Sequence, residues 1–133
     1  MTKSGPFGKN DSDSATGLDH SRLLAVVDGD IDLLRGISGL FLDIYPGLMS
    51  SIHDAIARND RDALVRAAHT LQGSGGYFLT DSSRKNLVDL ERMAHEGNLC
   101  NAGERAAEVE SELERLKPEV LKLAKEGMLA QED

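Results

Sequence analysis

The chain has no tryptophan, a single cysteine and only 4% aromatic residues. A core must therefore be assembled from Leu, Ile, Val, Ala and a few Met. One thiol, Cys100, excludes an internal disulfide and fits a reducing compartment. Positive charge is scarce: 15 Lys and Arg stand against 23 Asp and Glu, for a net charge of −8. That balance argues against nucleic acid, which needs a basic face, and disfavours an anionic membrane surface. No apolar run approaches the ~20 residues needed to cross a bilayer, and no signal peptide is recognisable. Sustained period-two alternation is missing too, and no Asn-Gly or Asp-Gly pair joins two strand-like runs. The expectation is a soluble cytoplasmic protein without strands.

What is present is helical periodicity. The 133 residues fit one domain, and 40% hydrophobic content lifts the chain well above the disordered class. Residues 1–17 are rich in Gly, Ser, Asp and Lys and read as a flexible N-terminal tail; residues 128–133 read as a disordered C-terminal tail. Between them, residues 18–127 form the expected domain. Leu23, Leu24, Val26 and Val27 predict a short helix ending near Asp28-Gly29.

A first long helix is predicted from about Asp30 to Arg58. Its stripe is Leu33, Leu34, Ile37, Leu40, Phe41, Ile44, Leu48, Ile52 and Ile56, with a kink at Pro46. A second is predicted from about Arg61 to Leu79, with Leu64, Leu71 and Phe78 inward. Asp81-Ser82-Ser83 reads as a turn and cap, and a third helix follows from Ser83 to Glu96 with Leu87, Leu90 and Ala94 inward. The last runs from about Ala102 to Glu126 on a heptad-like seam of Ala106, Val109, Leu113, Leu116, Val120 and Leu123. The acidic run Glu104 to Glu114 reads as a mainly solvated face. The fold class that follows is all-α: an antiparallel up-and-down four-helix bundle with a short extra N-terminal helix.

Bundle physics explains the apolar stripe of the second long helix but not its other face. Steps of ~100° per residue put His69 roughly 200° from Leu71, toward solvent. Asp62, Arg66, Gln72, Gly73 and Gly76 share that face. Gly73, Gly75 and Gly76 each cost roughly 0.5–1 kcal/mol relative to Ala inside a helix, so some gain must offset them. Gly73, one turn beyond His69, clears space beside the imidazole. Gly75 lies nearer the core, where it allows close packing of a neighbouring helix.

The segment Ala67-Ala68-His69-Thr70-Leu71-Gln72-Gly73-Ser74-Gly75-Gly76 resembles the signature of histidine-containing phosphotransfer (HPt) domains. The likeness extends from about Leu18 to Leu123, including Phe41-Leu42, Pro46-Gly47-Leu48, Leu87, Leu90 and Glu91. It implies a two-component phosphorelay role. His69 would accept a phosphoryl group from a receiver-domain aspartate and pass it to another receiver. Gln72 stands where the family usually has a lysine that steadies the phosphoryl oxygens. Arg66, Gly73, Gly76 and Asp62 would form the receiver-docking face. The receiver, in the first instance that of a hybrid sensor kinase, would bring the aspartate and a magnesium ion. The domain itself would be a carrier rather than an enzyme, with no cofactor, no metal and a monomeric state.

The departures from the family pattern are Gln72 for lysine, Leu79-Thr80 for a common Gly-Ala pair, and Ser83 and Asn86 where apolar residues are frequent. Gln72 keeps open an alternative: an HPt-like module that docks a receiver without taking phosphate. His20, His53 and His95 are far apart in sequence and read as surface or boundary histidines. Cys100 lacks an evident base. Tyr77 reads equally as a rim contact or as packing at the helix end.

Overall fold

The computed structural model describes residues 18–126. Both expected tails, residues 1–17 and 128–133, lie outside the described residues, as does Gly127.

Five helices follow one another: α1 (His20–Val26), α2 (Ile31–Ala57), α3 (Arg61–Gly75), α4 (Asp81–Glu96) and α5 (Ala102–Glu126). The described residues contain no strand. Helix α2 packs against α3 and α5, and α4 packs against the same two, which closes a four-membered ring of neighbours. Short connections make these neighbours antiparallel. Helix α1 sits against α2, burying Leu23 and Val27 and leaving Val26 exposed.

The helix starts are written in the sequence. Asp19, Asp30 and Asp60 accept hydrogen bonds from the backbone N–H groups of Arg22, Leu33 and Ala63, and Thr80 accepts one from Ser83. Each satisfies an amide that the first turn leaves without a partner. Gly97 closes α4 with φ of 78°, a left-handed conformation that suits glycine.

The predicted seam of α5 is buried along its whole length, as are Leu87, Leu90 and Ala94 of α4. Three expectations need correction. Helix α3 ends at Gly75 rather than Leu79; Phe78 still enters the core, but from the turn, stacked on Phe41 at 4.9 Å. Helix α4 begins at Asp81, capped by Thr80, rather than at Ser83. On α2, Leu33 and Leu40 are exposed, and the buried stripe is Leu34, Ser38, Phe41, Tyr45, Met49, Ile52 and Ala55. The stripe is thus rotated by about one position, because Ser38 and Tyr45 can be buried once their hydroxyls are bonded. Ser38 donates to the Leu34 carbonyl at 2.7 Å, and Tyr45 donates to Glu114 at 2.8 Å. Pro46 is exposed, and α2 runs through it without interruption.

The acidic run of α5 is mainly exposed, as expected, and Arg115 meets Glu112 at 3.7 Å, but its carboxylates also reach across to the neighbouring helices. Glu108 accepts from Asn86, and Glu112 accepts from Ser83 and Thr80, all on the α4 side. Glu110 meets His53 at 2.8 Å and Glu114 meets Tyr45, both on α2. Residues four apart share a face, whereas residues two apart lie roughly 200° from each other. The alternation of acids therefore fastens α5 to both neighbours. It also explains how Ser83 and Asn86 occupy buried positions: each has an α5 carboxylate to bond.

Candidate functional site

Burial of Leu64, Ala67, Ala68, Leu71 and Gly75 fixes the rotation of α3. That rotation turns His69 outward, with its side chain 79% exposed. Asp62, Arg66 and Gly73 are exposed beside it, and Gly76 is half-buried at the helix end. The predicted site residues thus share one face of α3.

The glycines divide their work. A methyl group on Gly73 would meet nothing within 4 Å, so this position is open surface one turn beyond His69. A methyl group on Gly75 would stand 2.6 Å from Cε1 of Phe41. That close approach lets α3 lie against the Phe41 ring, which also stacks on Tyr45 at 5.2 Å. Gly76 is the residue that caps α3, and its carbonyl accepts a hydrogen bond from Arg84 at 2.9 Å.

Gln72 does not extend freely toward the space around His69. Its Nε2 donates to Glu91, a residue of α4 whose side chain is only 22% exposed. The same Glu91 oxygen lies 3.7 Å from Nδ1 of His69. At that separation the pair is an electrostatic contact rather than a hydrogen bond. The carboxylate thus stands on the Nδ1 side of the exposed ring. Glu91 falls within the family pattern of the sequence, but its place beside His69 is a contact between helices. Spacing along the chain holds no signature of such a contact.

An apolar border is a further feature that the sequence pattern does not single out. Tyr45 and His53 mark the flank of α2 that faces α5. Helical phase puts Leu33 and Leu40 on the opposite flank, toward α3. Leu40 is 59% exposed and Leu33 49%. Tyr77, at 51%, is likewise exposed, which favours the rim position over packing. Among the described residues no group of three or more His, Cys, Asp or Glu side chains could hold a metal ion, and no helix is long and apolar enough to cross a membrane. Cys100 is free and exposed.

The sequence profile of the Hpt domain matches residues 37–119, more than half of the chain. The chain belongs to the Hpt-domain family. Comparisons with curated proteins and with solved structures gave no match. Domains of this family are helical phosphocarriers of phosphorelays that interact with response-regulator receiver domains, and they are not catalysts in their own right.

Proposed function

We propose that His69 is the phosphoryl acceptor, taking the group from a receiver-domain aspartate and passing it to a second receiver. The observation that carries this reading is an exposed imidazole beside the open Gly73 position in a bundle of this family. In the forward step, the Nε2 lone pair attacks phosphorus. A P–N bond forms, the P–O bond of the aspartyl phosphate breaks, and the aspartate leaves as a carboxylate. The Nδ1 proton stays on the ring, and Glu91 faces the positive charge that develops there. Phosphoryl transfer needs alignment and charge stabilisation above all. The convex face of α3 offers a nucleophile, so the receiver supplies the magnesium ion and most of the stabilising groups.

Asp62, Arg66, Gly73 and Gly76 form the docking face in this reading, with Leu33, Leu40 and Tyr77 as an apolar margin. The donor is the receiver of a hybrid sensor kinase, and the carrier acts in the cytoplasm as a monomer. Incubation with a phosphorylated receiver should give an acid-labile, base-stable label. His69→Gln should lose the label and keep its helical circular dichroism. Persistent labelling of that variant would refute the assignment.

One observation favours a second reading, a module that docks a receiver without taking phosphate. The Gln72 amide is occupied by Glu91, which sets a negative charge 3.7 Å from His69. Stable binding with no transfer across a panel of receivers would support this alternative.

A further inference from the structure

We propose that Arg66 supplies the cation that steadies the phosphoryl oxygens on His69. This inference rests on His69 as the acceptor and assigns a role that position 72 does not fill here. A phosphoryl group brings roughly −1.5 to −2 charges near neutral pH. Around His69, Gln72 offers no charge and donates its amide to Glu91, and Glu91 adds a negative charge. A compensating cation from this domain has to come from another position.

Most neighbouring cations are committed. Arg84 bonds the Gly76 carbonyl, about two turns beyond His69. Lys85 and Arg92 hold Asp89 at 3.3 and 2.8 Å. Arg58, before the start of α3, pairs with Asp54 and Asp60. Arg66 is exposed and has no hydrogen-bond or ion-pair partner among the described residues. It precedes His69 by three residues, a spacing that brings side chains together on a helix surface. Side chains tilt toward the helix N-terminus, so the His69 ring leans toward the turn that carries Arg66, and the long Arg66 stem, which starts with the same tilt, has the reach to turn its guanidinium back toward a group on that ring. A guanidinium fork matches phosphoryl oxygens and can make two parallel hydrogen bonds to them. Asp62, one turn before Arg66, is not within ion-pair distance in this structure and leaves the guanidinium available.

The test needs no receiver. Phosphoramidate, a small phosphoryl donor, is used to label the full chain, and the phospho-His69 signal in the phosphorus NMR spectrum is assigned by its loss in His69→Gln. The pH midpoint of that signal reports the charge near the phosphoryl group. Arg66→Ala should raise the midpoint by about half a unit, the size expected of one exposed charge contact. Arg66→Lys should keep most of the wild-type value, and adding Gln72→Lys to Arg66→Ala should bring the midpoint back down. A midpoint unchanged in Arg66→Ala overturns the inference alone, even where receiver binding weakens. A wild-type protein that takes no label on His69 overturns both the inference and the reading beneath it.

Discussion

The Glu91 carboxylate stands 3.7 Å from Nδ1 of His69 while it accepts a hydrogen bond from Gln72. One acid on α4 thus meets both His69 and Gln72 of α3. Its negative charge should bias the neutral imidazole toward the form protonated at Nδ1. Long-range proton–nitrogen correlation spectra should show that form dominating in the wild type, and Glu91→Leu should shift the balance toward protonation at Nε2. An identical balance in the two proteins would show that Glu91 does not orient the ring.

Gly73 separates stability from transfer. Alanine there meets nothing and removes the conformational cost of a helical glycine, so Gly73→Ala should stabilise the fold by about 0.5–1 kcal/mol in urea unfolding. A bulky Gly73→Leu should slow transfer from a phosphorylated receiver while the domain remains folded. Transfer at the wild-type rate in Gly73→Leu would mean that the receiver does not approach over this position.

Gly75 should behave in the opposite way. Its added methyl would press on Phe41, which is held between Tyr45 and Phe78. Overpacking of this kind costs about 1–3 kcal/mol, more than the helix gains from alanine. Gly75→Ala should therefore lower the urea midpoint, and a rise would show that the Phe41 ring moves aside easily.

Tyr45 gives the alkaline limit of stability a specific source. Burial, followed by the hydrogen bond to Glu114 and the nearby charges of Glu114 and Glu110, pushes its phenol up to about 12 from an ordinary value near 10. A raised pKa means that the folded state holds the proton after the unfolded chain has released it. This contribution is complete below about pH 10 and is lost as pH rises toward about 12. Tyrosinate absorbance in a Tyr77→Phe background should follow Tyr45 alone, and Tyr45→Phe should flatten the alkaline fall in stability.

Asp89 acts at the acid end. The hydrogen bond from Arg92, supported by Lys85, holds its carboxyl below the usual range despite the opposing effect of burial. A depressed pKa contributes stability above the unfolded value and loses it as pH falls through the folded one. Asp89→Asn should therefore show a shallower loss of stability on acidification. An acid limb as steep as that of the wild type would place the decisive carboxylates elsewhere.

The periodic parts of this fold are legible in the chain. Helix α5 and its seam match the expected bounds because leucines and valines repeat there without competing signals. The orientation of His69 is legible too, since burial of Leu64 and Leu71 forces it outward. Helix α2 is harder to read. Ser38 and Tyr45 look less apolar than Leu33 and Leu40, and only their hydrogen bonds make them good core residues. The end of α3 is misleading in sequence because Phe78 keeps the apolar phase while sitting in a turn. Glu91 and the α5 acids depend on contacts between helices, which local sequence does not record.

The alternating acids of α5 have a consequence for how such a carrier can change allegiance. They bond Asn86, Ser83, Thr80, His53 and Tyr45, and none of these lies among the exposed α3 residues around His69. The seams that hold the bundle closed and the exposed face of α3 around His69 draw on separate sets of side chains. Asp62 and Thr70, exposed on α3, can accordingly be exchanged without loosening the seams of the bundle.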